Sequence, residues 1–182
     1  SKALESAMQK AAGLQKLTKD QVADGNVLTK LNKSVEQGEQ LSSSNITTEC
    51  SASLAQTVLE SRANNMNSHS GDMQKQADAV ASAVKTVETS KKTLETKNAR
   101  SSLEQAISAA RTLLDNSNGQ VADEATRNAL SQAIDAAQKL LDGKSSDAQA
   151  IQSAVKAIST ATDSVNASIQ AAHAAAAQTN SQ

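Results

Sequence analysis

The sequence predicts an all-α protein, an elongated antiparallel helical bundle without β-sheet, from three observations. None of the 182 residues is Phe, Tyr, Trp or Pro, so the chain lacks the rings that usually fill globular cores. Apolar residues recur at three- and four-residue spacing nearly throughout, as in amphipathic helices. The remaining composition of Ala, Leu, Val, Ile, Ser, Gln, Lys and Glu suits long helices packed close together.

The first part of the chain carries three apolar stripes, each of which predicts one helical face. Their residues are Leu4, Met8, Ala11 and Leu14, then Leu28, Leu31, Val35 and Leu41, then Ala52, Ala55 and Leu59. Polar clusters predict breaks at 18–26, at 41–48 and at 67–72, the last of which contains Gly71.

A strict heptad stripe follows and predicts one long helix from about residue 73 to residue 114. It comprises Ala77, Val80, Val84, Val87, Lys91 and Leu94, and it runs without Gly or Pro into Leu103, Ala106, Ile107, Ala110 and Leu113. Lys91 occupies a position where Val or Leu is expected. We expect its stem to pack while its ammonium group reaches solvent.

Two further helices complete the bundle, and their ends are marked by capping residues. One carries Leu130, Ala133, Ile134, Ala137, Leu140 and Leu141, and the other carries Ile151, Ala154, Val155, Ile158, Val165 and Ile169. Asp123 is expected to cap the first, Gly143 to close it in a left-handed turn, and Ser146 or Asp147 to cap the second.

A shift of 99 residues aligns two parts of the chain without gaps. Gln21-Val22-Ala23-Asp24 falls on Gln120-Val121-Ala122-Asp123, and the flanking apolar stripes also coincide. We interpret residues 1–182 as a single bundle in which the hairpins 3–42 and 102–141 are either duplicated or coincidentally similar. Gly38 aligns with Ala137, so Gly38→Ala is expected to stabilise the protein.

Charge and hydropathy limit the classes of partner. With a net charge of −1 and no aromatic residue, the chain offers no surface for nucleic acid, and we interpret the basic window 85–100 as a solvated helix face. No apolar run reaches the length of a membrane span. Because the chain begins at Ser1 without a signal-like stretch, we expect a trimmed or processed fragment, with any C-terminal membrane anchor outside it.

The search for catalytic or metal-binding chemistry yields no convincing constellation. No paired titratable groups, phosphate loop or nucleophile motif is present, so we expect no enzyme, no cofactor and no small-molecule substrate. His69 with Asp72 lacks further metal ligands in the sequence, and a solvated histidine is the favoured interpretation.

Modification sites are the remaining candidates. Cys50 is expected in the first turn of a helix, as a small filler or as a thiol that crosslinks two copies of a monomer or weak homodimer. Three sequons begin at Asn32, Asn45 and Asn166; they matter only in a protein secreted by a eukaryote, and Asn45 lies in a predicted loop.

The chain resembles two families of surface protein. Its alanine-rich composition, its long stripe from Ala77 to Leu113 and its small-residue tail from Ala171 to Gln182 are similar to the alanine-rich and glutamate/alanine-rich coat proteins of insect-stage trypanosomes. That resemblance implies an elongated helical bundle with a glycolipid anchor. The segments Leu103–Ile107, Ala129–Ile134 and Ala154–Ile158 resemble the three-helix FIVAR module of Gram-positive surface proteins.

Both resemblances imply a non-enzymatic protein of the cell surface, with a host or environmental ligand that the sequence does not identify. We therefore expect a coat or stalk that exposes polar loops, or a bacterial adhesin spacer module. The competing hypothesis is an intracellular coiled-coil scaffold, in which a partner helix would bind the stripe of Val80, Val84 and Val87.

Overall fold

The computed structural model describes residues 1–179, and these form five α-helices with no strand among them. The helices are α1 (Lys2–Leu14), α2 (Asn26–Ser43), α3 (Gln56–Asn116), α4 (Glu124–Asp142) and α5 (Ala148–Thr179), with a 3-10 turn at Lys19–Gln21. The prediction of an all-α antiparallel bundle with one long helix is confirmed. The long helix begins at Gln56, well before the expected residue 73.

Contacts divide the chain into two compact units, where the sequence was interpreted as a single bundle. Unit 1 comprises residues 1–94 and unit 2 comprises residues 95–182, so the boundary falls within α3. Each unit contains three helices: α1, α2 and the first part of α3 in unit 1, and the last part of α3, α4 and α5 in unit 2.

Consecutive helices run antiparallel in unit 1. The Gln15 side chain at the end of α1 donates to Asn32 in α2 (3.2 Å), while Gly38, later in α2, lies beside Leu4. The Gln76 side chain in α3 donates to the Ser34 carbonyl (2.7 Å). The core between the helices consists of Leu, Val and Ala side chains, with Leu4, Leu31, Val80 and Val87 fully buried.

Unit 2 repeats this arrangement. Arg100 near the start of its first helix donates to the Leu141 carbonyl near the end of α4 (3.0 Å), which makes these helices antiparallel. Its core is filled by aliphatic residues of the three helices, and Leu103, Leu130, Ile151 and Val165 are fully buried.

The same hydrogen bonds join the connection before the second helix to the third helix in both units. In unit 1 the Ala23 and Asp24 amides donate to the carbonyl (3.1 Å) and hydroxyl (2.9 Å) of Ser90. In unit 2 the Ala122 and Asp123 amides donate to the corresponding atoms of Ser168 (3.1 and 2.8 Å). Ser90 and Ser168 are both largely buried, so these bonds satisfy polar groups that have little access to water.

The residue numbers of this contact show that the connection between the second and third helices differs in length between the units. The offset is 99 residues from Ala23 to Ala122 but 78 residues from Ser90 to Ser168, so the connection between second and third helices is 21 residues longer in unit 1. By these offsets, residues 44–72 of unit 1 correspond to residues 143–150 of unit 2. The shorter connection comprises the loop 143–147 and the first residues of α5, and the longer one comprises the loop 44–55 and the beginning of α3.

Capping agrees with the sequence at two positions and differs at a third. The Asp123 carboxylate accepts from the Ala125 amide (2.9 Å), and the Asp147 carboxylate accepts from the Gln149 and Ala150 amides (3.0 and 3.1 Å). Gly143 has φ −72°, and Lys144 instead carries the positive φ of 51°. The expected left-handed turn therefore lies one residue later than Gly143.

The predicted break at 67–72 and the predicted helix from Ala52 were wrong. Helix α3 passes through Gly71, because a single Gly weakens a helix without ending it. Residues 44–55 form no helix, so Cys50 lies in a loop rather than in a first helical turn. The stripe position Lys91 is exposed, since the neighbouring Ser90 takes the inward position as acceptor of the Ala23 and Asp24 amides.

Candidate functional site

The feature that distinguishes unit 1 from unit 2 is its long connection, residues 44–72, which we call the extension. It consists of the loop 44–55 and the first part of α3, residues 56–72. The buried core cluster of unit 1 takes no residue from it. The extension is thus a surface element added to a module whose core is complete without it.

The loop of the extension is held to α3 by one long-range contact. The Arg62 guanidinium donates to the carbonyl of Glu49, and Leu54 and Leu59 are half-buried on either side of the loop end. Cys50 is exposed, and Asn45 is exposed in the loop as the sequence predicted. The structure therefore leaves both accessible.

The helical part of the extension exposes apolar side chains. Val58 is 39% exposed and Met66 is 41% exposed, and both stand out as exposed large hydrophobic residues of the described chain. The predicted break at 67–72 separates Met66 from Met73, so the sequence prediction did not include this surface. The signal that could have found it is the heptad spacing of Leu59, Met66 and Met73.

The other candidate site residues are not brought together. His69 is half-buried, and the Asp72 carboxylate lies 3.8 Å from the ammonium group of Lys75. Within residues 1–179, no group of three or more His, Cys, Asp and Glu side chains is placed to hold a metal ion. Asn32 and Asn166 are exposed on α2 and α5, and the Asn32 amide oxygen accepts from Gln15.

Open grooves run along both units, and in unit 2 their polar groups are already hydrogen-bonded to one another. The groove between α3 and α4 contains Arg100, Arg111, Gln138 and Asp142. Arg111 donates to Gln138, which donates to Asp142, while Arg100 donates to carbonyls of α4 and its following loop. These side chains of the groove therefore help to hold α3 against α4.

One carboxyl group has a shifted pKa. A hydrogen bond from the Thr18 side chain, together with one from its own backbone, lowers the pKa of Asp20 below its usual value. Asp20 is exposed in the connection between α1 and α2. Its carboxylate belongs to a surface turn.

The apolar stripe proposed for a scaffold partner is occupied within unit 1. Val80 and Val87 are fully buried, and Val84 is 7% exposed, in the core shared with α1 and α2. A partner helix would have to displace those helices to reach them. In addition, none of the described helices is both long and apolar enough to cross a membrane.

Comparison with known proteins gives a family match. The model of a family described as FIVAR domain matches residues 72–126 and residues 99–173, which together span more than half of the chain. No curated protein and no solved structure matches. The match supports the second resemblance seen in the sequence, whereas no comparison supports the resemblance to trypanosome coat proteins.

Proposed function

Because the chain belongs to the FIVAR domain family, we propose that it is a non-enzymatic structural module of a bacterial cell-surface protein, serving as a spacer that displays exposed loops. FIVAR domains occur in surface and cell-wall proteins of bacteria, which supports a surface location. The observation that carries the proposal is the family match over most of α3, α4 and α5.

The arrangement of the side chains fits a spacer. Each unit devotes its aliphatic residues to the interior of a three-helix bundle and its charged residues to the surface. A module built this way contributes folded, soluble length, and its connections can change without disturbing the core. The extension of unit 1 is such a connection.

The surface location can be tested on intact source cells with a glutamyl endopeptidase. Glu49 is the acidic residue of the exposed loop 44–55, so we expect early cleavage after Glu49 while the cells remain closed. The Glu49→Gln variant is the matched control and should lose this early fragment. A cytosolic protein measured in the same samples reports lysis.

The surface location is contradicted if the native protein resists the protease until the cells are lysed and then fractionates with the cytosol. Equal cleavage of the Glu49→Gln variant and its parent on intact cells would contradict only the choice of loop 44–55 as the displayed loop.

A further inference from the structure

The apolar line of α3 extends beyond the core of unit 1. Every seventh residue from Leu59 onward is Leu, Met or Val, in the order Leu59, Met66, Met73, Val80, Val87 and Leu94. Residues at this spacing lie along one face of a helix in a coiled coil. Val80 and Val87 are buried against α1 and α2, and Met73 packs against the edge of that core. Leu59 and Met66 therefore continue an interface already formed within the chain.

The helical part of the extension has weak intrinsic helix formers. Residues 64–71 comprise three Asn, two Ser, one His, one Met and one Gly. These side chains, apart from Met, have low helix propensity, and short helices in water are marginal even with good formers. Since this stretch is helical in α3 without contributing to the buried core, we expect another helix to stabilise it.

The extension is complementary to itself in an antiparallel arrangement. Three residues before Leu59, Met66 and Met73 stand Gln56, Ala63 and Ser70. In heptad terms, Leu59 and Met66 occupy d positions, whereas Ala63 and Ser70 occupy a positions. In an antiparallel pair of coiled-coil helices, the a positions of one helix face the d positions of the other. Placing Met66 opposite Ala63 of a second chain also places Leu59 opposite Ser70. Each layer then combines one large apolar side chain with a smaller or polar one.

Charges permit this arrangement. In the same alignment, the flanking position Glu60 lies opposite Asn67, and Arg62 lies opposite His69. No two carboxylates face each other in this alignment. We propose that the face formed by Leu59, Ala63, Met66 and Ser70 is a homodimerisation surface, and that its partner is the same face of a second copy running antiparallel.

The first test is sedimentation equilibrium of the whole chain between about 10 μM and about 1 mM, a range suited to a small interface. We expect a reversible dimer. Met66→Glu should raise its dissociation constant about tenfold or more, because a carboxylate would be desolvated in the central layer. The control Asn65→Glu adds the same charge at the preceding residue, which lies off the proposed interface, and should leave the dissociation constant unchanged. Both sites are exposed, and thermal melts will verify folding.

Cysteine crosslinking tests the direction of the helices. Leu59→Cys and Ser70→Cys, each combined with Cys50→Ser, should form a disulfide with each other when mixed, and neither should do so with itself. A monomer throughout the concentration range, an equal effect of Met66→Glu and Asn65→Glu, or self-crosslinking of the Ser70→Cys chain would overturn the proposal.

Discussion

At the scale of single residues, two buried serines connect separate parts of each unit. Ser90 and Ser168 each accept one amide with the hydroxyl and another with the carbonyl, so each ties the start of the second helix to the third helix. Their burial makes these bonds costly to lose, since water cannot replace the missing acceptor.

We predict that Ser90→Ala and Ser168→Ala each lower the free energy of unfolding by about 1–3 kcal/mol, the cost of leaving a buried amide unsatisfied. Chemical denaturation of each variant measures the effect. Ser61→Ala, on the exposed face of α3, is the control and should be near neutral. Equal stability of all three variants and the parent would show that these amides find other acceptors.

Gly38 is a position at which packing opposes helix propensity. A Cβ atom at Gly38 would lie 3.1 Å from the Met8 sulfur and 3.2 Å from a methyl carbon of Leu4, which is fully buried. The aligned residue Ala137 is also buried, and the 99-residue alignment places Ile107 at the position of Met8.

We now expect Gly38→Ala to destabilise unit 1 by about 1 kcal/mol, because overpacking against Leu4 and Met8 exceeds the gain in helix propensity. Adding Met8→Ala should remove one of the two close contacts and recover part of the loss. Thermal unfolding of the single and double variants tests this. A higher melting temperature for Gly38→Ala alone would restore the expectation drawn from the sequence.

At the scale of helices and connections, the two units differ chiefly in the length between the second and third helix. The extension lies outside the core cluster, whereas residues 143–147 in unit 2 join α4 to α5 directly. Closing a shorter loop costs less conformational entropy on folding. The longer connection of unit 1 therefore gives no entropic gain in stability.

Replacing residues 42–72 by residues 141–150, the aligned short connection, should leave the free energy of unfolding of unit 1 within about 1 kcal/mol of the parent. The same chimera should remain monomeric at concentrations at which the parent dimerises. Denaturation and sedimentation of the two chains provide the measurements. A large loss of stability would mean that the extension supports the bundle.

At the scale of the whole molecule, the two units have separate cores, although α3 contributes to both. The core residues of unit 1 end with Val87 and those of unit 2 begin with Ala99. A chain whose cores share no buried residue can unfold in parts, because most cooperativity comes from burial in a common core.

We therefore predict that residues 95–182, expressed alone, fold into a helical domain with one cooperative thermal transition. Circular dichroism measures helicity, and amide exchange should show protection at Leu103, Leu130 and Val165. Residues 124–182, which lack the helix supplied by α3, are the control and should be largely unfolded. A fragment 95–182 without a cooperative transition would show that its core depends on unit 1.

The sequence by itself determined the helical class, the presence of a long helix, most of the buried stripe positions and the cap at Asp123, and it limited the next cap to Ser146 or Asp147. Each of these depends on local periodicity or on a side chain bonding its own backbone neighbours, so no distant contact is needed to predict it. The 99-residue alignment likewise identified the segments in which Ala23 and Ala122 make equivalent hydrogen bonds.

Only the tertiary structure decided which residues of each helix face the core and where the chain divides into two units. Ser90 lies inside and Lys91 outside because the Ala23 and Asp24 amides require an acceptor at that point. Helix α3 continues through Gly71, since a single Gly does not end a helix. A Cβ atom at Gly38 would lie 3.1 Å from Met8 and 3.2 Å from Leu4, which are distant in sequence, so only the packing shows that this position is tight. The apolar face of Leu59 and Met66 can be recognised only once the core of unit 1 is seen to be complete without it.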